Sequence, residues 1–137
     1  MIKVFVETSV FIRFLTADDA QKFQDCVALF EEIEQGQIRP YASNIVILEI
    51  LFLLTKLYKF PKAKVLSDIG KILNLRNLTI IEKTDTKTAL NMFNKFNIKY
   101  ADCLIAGQVP KTVILLTYDE DFKKLKSLKI AAPAEII

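Results

Sequence analysis

Glu7, Glu49, Asp102 and Asp119 are the side chains whose type and placement could do chemistry. Glu7 follows the apolar run Ile2-Lys3-Val4-Phe5-Val6, and Asp119 comes shortly after Val113-Ile114-Leu115-Leu116. Asp102 stands near the start of the apolar stretch 100–106, and Glu49 is the single charge between Ile45 and Leu54. In an open α/β sheet the carboxyl ends of the strands share one edge, and ligands bind in the crevice beside it. Glu7 and Asp119 are therefore expected to face one crevice. Carboxylates packed together repel and cannot all ionise unaided. A divalent cation removes that conflict, and hard oxygen donors without histidine select Mg²⁺ or Mn²⁺ over zinc. A helix N-terminus at Asp102 would further favour negative charge. The competing reading is that two or three of these acids are helix caps, with Glu7 helping to cap a helix whose N-cap is Thr8 or Ser9.

The composition narrows the chemistry. The chain has 137 residues, enough for one domain with a real core, and the expected organisation is a single domain over 1–137. There is no histidine, which removes His-based triads, His general bases and His-rich zinc sites. Cys26 and Cys103 lie far apart without a CxxC pattern, and no signal peptide is visible before the first apolar run. A reduced, cytoplasmic protein is the expectation. Charge is uneven: residues 1–50 carry 4 Lys/Arg against 8 Asp/Glu, and residues 51–137 carry 15 against 8. The basic second part suits a polyanion, although a solvated Lys-rich face gives the same count.

The elements that must position the acids can be read in order. Ile2–Val6 reads as a strand, Val10–Leu15 as the first turns of a helix, and 20–35 as a second helix closed by Gly36. Residues 38–42 are a short extended piece that Pro40 places at a sheet edge or loop. Ser43 is a good N-cap for a helix that is apolar throughout 45–54 except at Glu49. Such a helix is expected to be buried on all sides, and a buried carboxylate then needs a cationic partner, a raised pKa or a metal. Pro61 opens a helix with Val65, Leu66, Ile69, Ile72 and Leu73 on one face. Residues 78–81 read as a strand. Thr84 or Asp85 caps a helix carrying Ala89, Leu90 and Phe93 inward. A helix from Tyr100, the continuous apolar strand 113–116, a short basic helix over 123–128 and a last strand near 129–132 complete the chain. Strands alternating with helices specify an α/β fold with a mainly parallel sheet.

The segments Val4-Phe-Val-Glu-Thr-Ser-Val-Phe-Ile-Arg-Phe-Leu15, Ser43-Asn-Ile-Val-Ile-Leu-Glu49, Tyr100-Ala-Asp-Cys-Leu-Ile-Ala106 and Leu116-Thr-Tyr-Asp-Glu-Asp-Phe122 together resemble the PIN-domain ribonucleases. Within them the chain looks most like the VapC-type toxins of prokaryotic toxin–antitoxin pairs. The likeness spans essentially the whole chain. It implies a PIN-like three-layer fold, with a central parallel sheet flanked by helices, and metal-dependent endonuclease activity on RNA. It carries Glu49, Asp102 and Asp119 over as acidic-site residues, with Ser9 and Thr117 as polar support. Asp121 is a further acid, whose other role would be to cap a helix over 122–128. The family has Asp where this chain has Glu7. The longer arm shifts the coordinating oxygens, and a misplacement of about 1 Å can lower a rate about a hundredfold.

The mechanism so implied is hydrolysis of an RNA phosphodiester assisted by Mg²⁺ or Mn²⁺ at Glu7, Glu49, Asp102 and Asp119. Arg13 and Lys123, with others among Lys56, Lys59, Lys124 and Lys126, would contact RNA phosphates, although a plain surface charge is an equal reading of Arg13. The expected partners are RNA, a small antitoxin and a second copy of the chain, with no membrane. A phosphotransfer receiver domain would need paired acids after the first strand and a Lys after a late strand, and both are missing. A haloacid-dehalogenase-like phosphatase would need Asp-x-Asp after the first strand, also missing. The remaining alternative is a PIN-like protein that binds RNA or an antitoxin but is catalytically impaired by Glu7.

Overall fold

Five short strands, all parallel, lie in the order β3-β2-β1-β4-β5 in the computed structural model, which describes residues 1–137. They are β1 (Ile2–Val6), β2 (Ile38–Ser43), β3 (Thr79–Ile81), β4 (Ile114–Leu116) and β5 (Ile130–Ala131). The helices are α1 (Thr8–Thr16), α2 (Ala20–Glu34), α3 (Asn44–Phe52), α4 (Lys62–Leu73), α5 (Thr86–Lys95) and α6 (Tyr100–Gln108). A π-helical turn, Leu53–Leu57, continues α3, and 3₁₀ turns cover Glu120–Lys124 and Pro133–Glu135. This is the α/β fold with a parallel sheet flanked by helices. Parallel strands covered on both faces read as unbroken apolar runs, and Val4, Phe5, Val6, Leu115 and Leu116 are fully buried.

The strand order sets where a ligand can enter. From β1 the chain moves outward to β2 and β3, then returns to lay β4 on the other side of β1. The strand ends of β1 and β4 therefore flank the point where the order reverses, the position at which open α/β sheets form a crevice. Register fixes the details: Val6 pairs with Leu116, and the Glu7 amide donates to the Leu116 carbonyl at 3.0 Å. Glu7 and Thr117 emerge side by side from that ladder.

Local signals place the helices. Asp19, Ser43 and Asp85 each accept a hydrogen bond from a backbone N–H in the first turn of α2, α3 and α5. Gly36 closes α2 at φ +81°, with the Arg76 guanidinium carbon 3.1 Å from where a Cβ would stand. Phe11, Phe14 and Phe30 tie α1 to α2, with centroids 5.8 Å apart for Phe11–Phe30 and 4.6 Å for Phe14–Phe30.

Several expectations need correction. The helix over 45–54 is not buried all round: Val46, Ile50 and Leu54 face the core, while Leu48 and Phe52 are both 62% exposed. Pro40 sits inside the sheet, opposite Val4. It is tolerated because pairing to β3 starts only at Tyr41, so the strand has a neighbour on one side there. In α5 the inward face is Ala89 with half-buried Met92, and Leu90 and Phe93 are exposed. Residues 123–128 form no basic α-helix. Leu125 N donates to Phe122 O and Leu128 N to Leu125 O, a succession of i to i+3 bonds that seats Phe122 and Leu125 in the core.

Candidate active site

Glu7 stands where β1 hands over to α1, and its side chain does two jobs. It is the N-cap of α1, its Oε1 accepting from Ser9 N at 3.1 Å. The same oxygen accepts from Ser9 Oγ and from Thr117 Oγ1, each at 2.6 Å. Tyr118 N donates to Ser9 Oγ and Asp119 N to Thr117 Oγ1, both at 2.9 Å. The two hydroxyls thus join the start of α1 to the loop after β4. Burial pushes the Glu7 carboxyl up, against the hydrogen bonds from Ser9 and Thr117 that draw it down, and the nearby Glu49 charge adds to the rise.

The other acids arrive from separate elements. Glu49, on α3, is half-buried, and the Thr8 hydroxyl donates to its Oε1 at 2.6 Å. Glu49 is thus only partly withdrawn from water, and its partner is a neutral hydroxyl rather than the cation that full burial would demand. Asp102, in the first turn of α6, is 1% exposed, and its Oδ2 is buried without any hydrogen-bond partner. Its Oδ1 lies 4.0 Å from Lys99 Nζ, on a side chain that is itself largely exposed. Burial is the main reason that the Asp102 carboxyl is pushed up to about 7; Lys99 opposes the shift, and Asp119, Glu49 and Glu7 reinforce it. Asp119 is the N-cap of the turn Glu120–Lys124, its Oδ1 accepting from Asp121 N at 2.9 Å. Asp119, rather than Asp121, is therefore the cap. Asp121 instead pairs with Lys124 at 3.1 Å.

Asp102, Asp119 and Asp121 each offer a carboxylate oxygen within 4.8 Å of the others. This spacing, the purely oxygen donor set and the unpartnered Asp102 Oδ2 suit a hard divalent cation. Glu7 and Glu49 fall outside that group but line an open cleft of about 340 Å³ with Asp119, Ser9, Arg13 and Lys99. Lys123 does not line this cleft, and its ammonium pairs with Glu120 at 2.7 Å. Thr8 and Lys99 were not singled out as site residues in the sequence. Lys99 stands three places before Asp102, the spacing of helical neighbours, and that was its only signal.

A parallel 3-2-1-4-5 sheet with carboxylates gathered at its switch point places the molecule among small α/β proteins with an acid-lined crevice. A model of the PIN domain matches residues 4–128, and the chain belongs to that family. It is 25% identical over 122 residues to a VapC ribonuclease of Aquifex aeolicus (strain VF5), covering 88% of this chain and 90% of that protein. Its fold is similar to a chain in the crystal structure of VapBC2 from Rickettsia felis bound to a DNA fragment from their promoter. There the TM-score is 0.68 at 19% identity, over 96% of this chain and 98% of that one. It is also similar to a chain of VapBC-5 from Mycobacterium tuberculosis, a member of the VapBC family of toxin–antitoxin systems. In that case the TM-score is 0.59 at 14% identity, over 96% and 99%. No helix is long and apolar enough to cross a membrane.

Proposed function

We propose that this chain is a divalent-metal-dependent endoribonuclease, the toxin of a type II toxin–antitoxin pair, that hydrolyses RNA phosphodiester bonds at its acid cleft. The observation that carries the reading is Asp102 Oδ2, buried and unpartnered beside the oxygens of Asp119 and Asp121. A desolvated carboxylate among other acids is unfavourable unless a cation is present. Asp102, Asp119 and Asp121 would hold Mg²⁺ or Mn²⁺, with Glu7 and Glu49 adding negative charge across the cleft. When bound, the ion supplies Lewis-acid polarisation of the scissile phosphate and lowers the pKa of an attacking water.

The protein's own groups do the rest. Asp102, whose carboxyl burial pushes up to about 7, would hold the cation as the carboxylate. Ser9 and Thr117 hold Glu7 in place through its Oε1. Asp119 keeps one oxygen on the Asp121 amide and has the other for the site. Arg13 and Lys99 supply positive charge for the RNA backbone.

The expected companions are a small antitoxin and a second copy of this chain, in the cytoplasm. The Rickettsia and Mycobacterium neighbours, VapBC2 and a member of the VapBC family of toxin–antitoxin systems, support the antitoxin. Leu48, Phe52, Leu57, Leu66 and Leu73, all more than half exposed on α3, its π turn and α4, support an apolar contact surface. A second reading, RNA or antitoxin binding with impaired catalysis, is favoured by one observation: Glu7 Oε1 already accepts three hydrogen bonds within the protein. Cleavage of a single-stranded RNA in Mg²⁺, with and without chelator, tests the enzyme. Cleavage should vanish with chelation and fall about a hundredfold or more in Asp119→Asn. Cleavage that persists in chelator at the same rate would refute the metal-dependent reading.

A further inference from the structure

In the lining of the acid cleft, Arg13 and the distant Tyr58 are joined through the carboxylate of Asp18. Arg13 Nη1 donates to Asp18 Oδ1 at 2.9 Å, and the Tyr58 hydroxyl donates to Asp18 Oδ2 at 2.9 Å. Arg13 lies on α1, Asp18 in the turn after it beyond Ala17 at φ +53°, and Tyr58 directly after the π turn that extends α3. All three line the cleft that contains Glu7, Glu49 and Asp119.

Stability does not account for this arrangement. The Arg13 and Asp18 side chains are 33% and 36% exposed, and ion pairs at such exposure contribute little. The π turn points instead to function, since these turns are rare and concentrate at functional sites. Its geometric effect is specific. In an uninterrupted α-helix, nine residues at about 100° each would set Tyr58 roughly half a turn away from Glu49. The wider turn brings Tyr58 back round, and both side chains line the same cleft.

The guanidinium has five N–H donors in a fixed fork and no acceptor. One is engaged by Asp18, and the Arg13 side chain makes no other hydrogen bond within the protein. Asp18 accepts from the fork with one oxygen, and Tyr58 donates to its other oxygen, so both oxygens of the carboxylate are engaged. The cleft then has two cations at different points: Arg13 beside Asp18 and Tyr58, and Lys99 beside Asp102. A planar fork with free donors suits bidentate recognition of a phosphate, which a lysine ammonium cannot reproduce.

We infer that Asp18 and Tyr58 are positioning residues that hold Arg13 with its free N–H donors available to a backbone phosphate of single-stranded RNA, next to the scissile one. The inference rests on the nuclease reading and specifies how its cleft holds the substrate. Asp18 and Tyr58 touch no reacting atom; they act through Arg13.

Two measurements on a short single-stranded RNA test it: single-turnover cleavage in Mg²⁺, and equilibrium binding in the cleavage-deficient Asp119→Asn background at several salt concentrations. Arg13→Gln should raise the half-saturating concentration about tenfold and reduce the slope of log affinity on log salt by about 0.7, the contribution of one phosphate on a single strand. Tyr58→Phe should weaken half-saturation about three- to fivefold with the slope unchanged, because the charge remains and only its orientation is loosened. Arg13→Lys should keep the slope without restoring affinity. Asp18→Asn, which preserves side-chain shape, should reproduce the Tyr58→Phe loss and serves if that variant melts early. The inference is overturned if Tyr58→Phe and Asp18→Asn match the parent in half-saturation, or if Arg13→Gln changes neither affinity nor slope. A parent chain that neither binds nor cleaves the RNA would instead overturn the nuclease reading, and the inference with it.

Discussion

Asp102→Asn should make the metal-free protein more stable while removing its response to metal. Asp102 is almost fully buried, and its carboxyl titrates at about 7 against an ordinary 3.8, mainly because burial disfavours the charged form. Between those two values the folded state holds a proton that the unfolded chain has released. Stability therefore falls as pH rises from about 4 to about 7, and the full penalty is present above that. At about 1.4 kcal/mol per pKa unit the shift corresponds to a ceiling of roughly 4 kcal/mol. The neighbouring cleft opens to water, which reduces this to about 2 kcal/mol. With an unfolding entropy of about 2.1 cal/mol/K per residue, 2 kcal/mol is a Tm difference of about 7 °C for a chain of this length. The asparagine variant should melt higher by about that amount at pH 8 in chelator and by no more than about 2 °C at pH 4, where Asp102 is protonated in the folded state and only partly ionised in the unfolded chain. Mg²⁺ at about a hundred times its Kd should then add about 2.7 kcal/mol to the parent and little to the variant. Differential scanning fluorimetry at both pH values, with and without Mg²⁺, reads all four numbers. Equal Tm values at pH 8 in chelator, or an undiminished Mg²⁺ response in the variant, would refute the view of Asp102 as an uncompensated charge awaiting a cation.

Two further outcomes are expected. Glu7→Asp should raise single-turnover RNA cleavage about 10–100-fold, or roughly 1.4–2.7 kcal/mol in barrier, whereas Glu7→Gln should not; equal rates in all three would place Glu7 outside the chemistry and leave it only its capping role. Leu48→Glu with Phe52→Glu should convert a dimer at tens of micromolar (roughly) into a monomer by sedimentation, since a charge in a well-packed apolar contact is strongly unfavourable; an unchanged sedimentation coefficient would move the self-contact off α3.

What the sequence revealed and what it hid have separate physical causes. Strands β1 and β4 were legible because a strand covered on both faces must be apolar at every position, and the acids just beyond them were legible because chain order alone puts them at a strand end. The 45–54 helix was misread from the same kind of signal. Apolarity records what leaves water and not which molecule covers it, so Leu48 and Phe52 look like core residues in one dimension. Residues 122–128 were misread in period: Phe122, Leu125 and Leu128 recur every three residues, which fits 3₁₀ turns as well as an α-helix. Asp18 and Tyr58 carried no signal, because their bond joins positions 40 residues apart and depends on a π turn that no local pattern announces.

The double duty of Glu7 follows from the same register logic. As alternatives, capping and site membership looked exclusive. The ladder reconciles the two: Val6 opposite Leu116 brings the α1 N-terminus and the Thr117 hydroxyl to one point, so the carboxylate that caps the helix also lines the cleft. An aspartate there has one methylene less to reach Ser9 and Thr117. Its oxygens would sit closer to the β1 end of the cleft, and the hydroxyls would have to follow or release it. The length of this one side chain therefore decides how firmly the first acid belongs to the α1 cap and how far it is available to a cation. That is why substitution at residue 7 is expected to change the rate much more than the fold.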